Sequence, residues 1–261
     1  MAKRSNLNNR YHSLIEAVFF KHWQKGVQQF VFSRYEIEDA ANRQGIILPK
    51  NIGDITYSFR FRTPLPASII ATQPSEQEWI IEGAGRSKYR FRLCKNTRIF
   101  PDPALEPIVI PGTAPEIIKA FALSDEQALL AIIRYNRLID IFLGLTTFSL
   151  QNHLRTTVQG IGQIEIDEVY LGIDRYGRQY VIPIQAKIGN DQIGVVQPAQ
   201  DIEFSRQRFP NMGCRSVSAQ FMKNDVIALL ELGMENGQIV VLDEQHYRLA
   251  PAEHFRDLST A

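Results

Sequence analysis

Cysteine is almost absent from this chain. Two occur in 261 residues, Cys94 and Cys214, far apart in sequence. They build neither a disulfide framework nor a thiol-rich zinc cluster, and such sparse usage points to the cytoplasm. The five histidines, His12, His22, His153, His246 and His254, are scattered, and no two have metal-ligand spacing. Long apolar runs are missing too. The most apolar stretch, residues 128–150, is interrupted by Arg134, Asn136, Arg137 and Asp140, too much polarity for a membrane span. The opening MAKRSNLNNRYH has no apolar core of a signal peptide. There is no G-x-S-x-G elbow, and GAGRSK at 83–88 is glycine-rich without being a P-loop. No internal repeat or low-complexity tract appears.

What is present is a chain able to form a sizeable core, as one large domain or two ordinary ones, with 44% hydrophobic residues. The formal net charge of +1 conceals a polarity along the sequence. Residues 1–100 carry 16 Lys+Arg against 8 Asp+Glu, a net of +8; the remainder carries 13 against 20, a net of −7. A basic half suits phosphate binding through counterion release, and an acidic half suits cation-binding carboxylates.

In the basic half, Leu14, Val18, Phe19 and Trp23 follow helical spacing. Ser33 with Glu36 three residues on forms a capping box for a second helix that stops at Gly45. A third helix is expected over 51–59. Residues 79–82 and 89–94 alternate around GAGRS as a hairpin. Two helices, a turn, a helix and a basic hairpin give the order of a winged helix-turn-helix over residues 1–100. Arg86, Lys88, Arg90 and Arg92 would line the wing, with Tyr89 and Phe91 facing the core and Arg60 and Arg62 adding positive charge, so this half is expected to bind double-stranded DNA. The plainer alternative is an exposed hairpin with a polar face.

Residues 101–115 contain Pro101, Pro103, Pro107, Pro111 and Pro115 and read as a linker. The region 116–261 then begins with a helix capped at Ser124, running through Leu129, Leu130, Ile133, Leu138 and Ile141 to Gly144. Further helices are expected over 148–157, 193–209 and 226–232, and strands over 163–173, 179–186, 216–222 and 238–243. This is an α/β arrangement with a mixed sheet flanked by helices.

The richest segment is GIGQIEIDEVYLGIDRYGRQYVIPIQAK, residues 160–187. Glu165 and Asp167 are two apart on one strand and share a face, as do Gln185 and Lys187 on the next. A hairpin turning at 174–177 would gather carboxylates, an amide oxygen and an ammonium. Gln185 lies inside an apolar run and needs a bonding partner.

An acidic strand, a hairpin, a strand ending in Gln-x-Lys, then a helix and a strand resembles the PD-(D/E)xK nuclease superfamily, which includes restriction endonucleases and Holliday-junction resolvases. The resemblance covers residues 120–225. It implies a restriction-endonuclease-like sheet in which Asp167 is the acidic position, Gln185 the Glu/Gln position and Lys187 the lysine. Many members add an acid from the preceding helix, for which Glu126 and Asp140 are candidates. The chain departs from the family pattern in lacking a Pro-Asp pair and in carrying Gln for the usual Glu; Glu165 would restore the missing charge. The resemblance implies Mg²⁺ held by Asp167, Gln185 and Glu165, with Lys187 stabilising charge on the phosphate. The expected function is Mg²⁺-dependent DNA cleavage by a type II restriction enzyme, acting as a homodimer because a duplex needs two cuts. The alternatives are a non-catalytic DNA-binding regulator with a degenerate nuclease fold, and a resolvase or repair nuclease.

Overall fold

The computed structural model describes residues 2–115, 126–189, 191–251 and 254–255, with side chains from residue 11 onward. The chain divides into two units, residues 1–97 with 157–164, and residues 98–156 with 165–261.

Unit 1 runs α1 (Ala2–His22), β1 (Gln29–Ser33), α2 (Arg34–Gln44), α3 (Gly53–Phe61), α4 (Ala67–Ile70), β2 (Glu78–Gly83) and β3 (Lys88–Cys94). The three strands form an antiparallel sheet in the order β1-β3-β2. Phe91, fully buried at the centre of β3, packs against the rings of Phe19, Phe30, Phe32 and Trp79 at centroid separations of 5.1 to 6.3 Å. The α1 positions Leu14, Ile15, Val18 and Phe19 close the same core. The capping box at Ser33 is formed: Glu36 Oε1 accepts the Ser33 N–H at 2.9 Å. Gly45 at φ 64° ends α2, and the following Ile46 N–H reaches Ala41 O at 2.9 Å. The sequence reading has no counterpart to β1, which places the basic strand β3 in the middle of the sheet.

Unit 2 runs β4 (Arg98–Ile99), β5 (Ile108–Pro111), α5 (Glu126–Tyr135), α6 (Leu138–Leu143), β6 (Thr146–Val158), β7 (Gly162–Ile173), β8 (Gln179–Lys187), β9 (Ile193–Gly194), α7 (Val196–Arg208), β10 (Gly213–Cys214), β11 (Ser216–Phe221), β12 (Val226–Glu235) and β13 (Gln238–Ala250). An eight-stranded mixed sheet has the order β5-β13-β12-β11-β8-β7-β6, with β10 also on β8. β8 is antiparallel to β7 and parallel to β11, the β8-to-β11 crossover being carried by α7. One face buries Leu129, Leu130, Ile133, Leu138 and Phe142 of α5 and α6 against Ile182, Ile184, Val217, Ala219 and Leu229. α7 packs on β8, β11 and β12.

The structure corrects four expectations. Residues 148–157 lie in the edge strand β6 rather than a helix, consistent with the threonine pairs at 146–147 and 156–157 that bound it. Residues 226–232 are also strand: β12 lies between β11 and β13, buried on both faces, so it is apolar apart from Glu231, which pairs with Arg215, and shows no alternation. The proline-rich residues 101–115 are not simply a linker. Ile108–Pro111 pair with β13, at the sheet edge where proline is tolerated, and the buried Asn136 Oδ1 accepts the N–H of Thr113 at 2.6 Å and of Ala114 at 3.2 Å. The long helix expected toward Gly144 is interrupted between α5 and α6 by Arg137 at φ 53°. The cap expected at Ser124 lies outside the described residues.

The Glu36 carboxylate joins α2 to α1, lying 3.1 Å from Lys21 Nζ and 2.6 Å from His22 Nε2. Burial alone would raise its pKa, but the bonds from Ser33, His22 and Lys21 outweigh it and hold the group at about 2, below its ordinary 4.5. A carboxyl depressed in the folded state contributes stability that is complete above pH 4.5 and is lost as pH falls through about 2. Glu36→Gln is therefore expected to cost roughly 1 kcal/mol or more at neutral pH, as cap losses do. The gap from the parent should close between pH 4.5 and 2 in urea melts. A gap that is constant with pH would show that the charge contributes nothing.

Candidate active site

The β7–β8 hairpin is set from its turn. Asp174 Oδ1 accepts the N–H groups of Tyr176 at 2.8 Å and Arg178 at 2.9 Å, and Gly177 takes φ 81°. The strand register runs from Ile173↔Gln179 to Glu168↔Ile184. Beyond that pair a side chain takes over: Asp167 Oδ2 accepts the Ala186 N–H at 2.9 Å. Ala186 points into the core under α5 and α6, so Gln185 and Lys187 on either side of it face away from that core.

Lys187 is largely buried and donates from Nζ to Glu126 Oε1 at 3.1 Å and to Ala186 O at 2.9 Å. Asp167 is 8% exposed. Burial raises its pKa, the Ala186 N–H and Lys187 pull it down, and the charges of Glu126 and Glu165 push it further up. Of the two upstream acids, Glu126 therefore belongs to this group. Asp140 does not; its carboxylate accepts the Thr147 N–H at 2.8 Å and the Thr147 hydroxyl at 2.9 Å at the start of β6. Glu165 is near enough to raise Asp167, but its carboxylate is paired with His153 Nδ1 and Arg155 Nε of β6, each at 3.3 Å.

Gln185 finds the partners its buried position requires. Its Nε2 donates to Glu165 O at 3.2 Å and to Asp201 Oδ2 at 2.9 Å, and its Oε1 accepts from Gln197 Nε2 at 3.1 Å. Gln197 and Asp201 stand one turn apart on α7. The sequence reading missed both. The available signal was a polar row, Gln197, Asp201 and Ser205, on a helix that also buries Ile202 and Phe204. Asp201 is 1% exposed, and burial holds its pKa well above the usual carboxylate range, with the Asp167 charge adding to the rise and Gln185 and Lys187 opposing it. Its Oδ1 has no hydrogen-bond partner among the described residues, and neither does the hydroxyl of Ser218, which is in register with Gln185 on β11.

The neighbouring acid behaves differently. Glu168 faces α5 and is fully buried, and its Oε1 accepts from Arg134 Nε at 2.9 Å, Arg134 Nη2 at 2.8 Å and Ser149 Oγ at 2.5 Å. This ion pair was also missed, because nothing local in IEIDEVY separates Asp167 from Glu168.

Among the described residues no three His, Cys, Asp or Glu side chains converge as a metal-binding group. Asp167 and the acids whose charges reach it, Glu126 and Glu165, offer carboxylate oxygens, and Gln185 on the adjoining strand adds an amide oxygen. Carboxylates outnumber the single ammonium of Lys187, and their mutual repulsion contributes to the raised pKa of Asp167. That chemistry fits a hard divalent cation such as Mg²⁺.

In unit 1 the expected basic stripe is partly neutralised. Glu82, opposite Arg90 on β2, receives Arg90 Nη1 at 3.3 Å and Arg92 Nε and Nη2 at 3.1 Å each. Arg86 and Lys88 are exposed. Arg60 stacks its guanidinium over Phe61 at 4.8 Å and has a buried Nε with no hydrogen-bond partner among the described residues, while Arg62 lies over Tyr57 at 5.1 Å.

The Glu168–Arg134 pair generates a stability test. Arg134→Leu should strand a buried carboxylate and cost about 3–5 kcal/mol by denaturant unfolding, and adding Glu168→Gln should recover much of the loss. An unchanged unfolding midpoint in the single variant would show that the pair is dispensable. Comparison with protein-family models, curated proteins and solved structures finds no match to this chain.

Proposed function

We propose that the chain is a Mg²⁺-dependent endonuclease acting on double-stranded DNA, most in keeping with a type II restriction enzyme working as a homodimer. One observation carries the reading: Asp167, Lys187 and the helix-borne Glu126 meet around the Ala186 peptide at the open end of the β7–β8 ladder. The succession α5, α6, β6, β7, β8, α7, β11 supports it, because the acid and the Gln-x-Lys fall on adjacent antiparallel strands followed by a helix and a strand. In unit 1, the order helix, strand, three helices, hairpin around a three-stranded antiparallel sheet supports a winged-helix reading and a DNA-binding role.

Asp167 and Glu126 are the groups that would hold the cation, joined by the Gln185 amide oxygen on giving up its bond from Gln197 Nε2. When bound, Mg²⁺ supplies a polarised phosphate and an acidified water. Asp167 is fixed by its bond from Ala186, so it meets the cation preoriented. Lys187 keeps one hydrogen bond to the Ala186 carbonyl and would turn its ammonium from Glu126 to the non-bridging phosphate oxygen, where negative charge grows. Unit 1 would hold the duplex through phosphates.

A second reading, a DNA-binding regulator with a degenerate site, is favoured by the Gln185 oxygen being taken by Gln197 and by Lys187 being neutralised by Glu126. Plasmid cleavage separates the two. The parent is expected to cut with Mg²⁺ and not with EDTA, while Asp167→Asn and Lys187→Ala lose at least about 10³-fold in rate, the scale of losing an essential electrostatic group, and keep DNA affinity. A parent that retains DNA but leaves it intact in Mg²⁺ or Mn²⁺ would establish the regulator. Discrete bands from long mixed-sequence DNA would mark a restriction enzyme rather than a resolvase or repair nuclease.

The arginines of unit 1 should separate by their pairing. Neutralising Arg86 or Lys88 should weaken binding to all sequences alike and lower the log–log salt slope by about one each. Arg90→Gln or Arg92→Gln should lower it less, since Glu82 already holds them. Equal slopes for the parent and all four variants would remove the stripe from the DNA interface.

A further inference from the structure

We infer that Asp201 is a working member of the site, a carboxylate delivered from α7 that supplies a divalent cation with the charge Gln185 does not carry. This rests on the nuclease reading above and names a residue outside the Asp-strand, Gln-x-Lys pattern.

The argument begins with cost. A side chain 1% exposed, on a helix that buries Val196, Ile202 and Phe204 around it, sits where an apolar residue would pack at no polar penalty. Asp201 makes no ion pair among the described residues, and one of its oxygens is unpartnered. A buried polar atom left unmade costs about 1–3 kcal/mol. Stability alone gives no reason for an acid at this position, and such exceptions call for a functional account.

The second part is aim. Asp201 Oδ2 is bonded to Gln185 Nε2 at 2.9 Å, so the carboxyl stands at the Gln-x-Lys strand, and the charges of Asp167 and Lys187 both act on it. Gln197, one turn earlier, holds the other end of the same amide. Gln185 is thus fixed between an acceptor and a donor, which specifies an amide there. A glutamate at 185 would set two carboxylates against each other. Glutamine on β8 and aspartate on α7 therefore form one matched pair, in which the acid has been placed on the helix instead of the strand.

The test uses the full-length protein without DNA, and Mn²⁺ as the probe, with bound ion counted by electron paramagnetic resonance and thermal unfolding followed in parallel. Asp201→Asn, which keeps the shape, should weaken Mn²⁺ binding by about tenfold or more, equivalent to about 1.4 kcal/mol, without lowering the unfolding temperature. Asp201→Ser serves in the same way if the asparagine variant does not fold. The double variant Asp201→Asn with Gln185→Glu returns the carboxylate to the strand and should restore affinity to near the parent. If Asp167→Asn weakens Mn²⁺ binding and both Asp201 variants bind like the parent, the inference is overturned while the nuclease reading stands. Loss of affinity together with a lower unfolding temperature, and no recovery in the double variant, assigns Asp201 a purely structural role and also overturns it. A parent that binds no Mn²⁺ at millimolar concentration overturns the nuclease reading itself.

Discussion

The bond from the Ala186 N–H to the Asp167 carboxylate is the constraint on which the candidate site depends. A strand in a sheet normally has its amides met by backbone carbonyls. Here a side chain answers one of them, at the point where the β7–β8 register ends. The consequence is geometric. Ala186 must face the core beneath α5 and α6, so its neighbour Gln185 is turned to the opposite face, the one that receives α7, while Lys187 at the strand end reaches Glu126 of α5. A one-residue slip would bury Lys187 in the apolar core and expose Ala186, an exchange no local compensation would offset. The Asp174 turn at the other end of the hairpin guards against that slip by satisfying two amides with one carboxylate oxygen.

Two consecutive acids on β7 show how similar residues acquire different roles. Glu168 is fully buried, and its Oε1 is saturated by Arg134 and Ser149, the arrangement of a group that holds a helix to a sheet. Asp167 and Asp201 are buried without a dedicated cation; Lys187 is shared with Glu126, and burial drives both carboxyls toward the neutral form. Burial alone does not separate structure from function here, and neither does an unpartnered oxygen, since Glu168 Oε2 lacks a partner among the described residues as Asp201 Oδ1 does. The separation lies in the dedicated cation: Arg134 serves Glu168, and among the described residues no cation serves Asp201 alone.

Legibility in the sequence followed the range of the interactions. The Ser33–Glu36 box, the Gly45 stop, the hairpin turn at 174–177 and the Gln-x-Lys strand are all decided by residues within a few positions of one another, and each was read from the sequence alone. β12 was hidden because VIALLEL is apolar except for Glu231 and contains the good helix formers Ala, Leu and Glu; only its place between β11 and β13 makes it a strand. β6 was hidden by leucines at near-helical spacing, against which its threonines and Val158 argue. Gln197, Asp201 and the Arg134–Glu168 pair are contacts across 12 to 34 positions, and no local pattern announces them.

The glycines of GAGRSK illustrate how a motif acquires a meaning other than the one its composition suggests. Both, Gly83 and Gly85, meet the backbone at Ile161. A Cβ on Gly83 would lie 2.1 Å from the Ile161 carbonyl oxygen, and the same oxygen accepts the Gly85 N–H at 3.2 Å. Gly85 itself takes φ 113°, which a side chain would resist. Residues 157–164 belong to unit 1, so this close approach is part of that unit's own packing. It follows that residues 1–100 are not a complete basic unit. A fragment cut there keeps the +8 charge but loses the carbonyl against which the β2–β3 hairpin is seated. Charge placed it in the first hundred residues; backbone packing extends the unit to a short segment far along the chain.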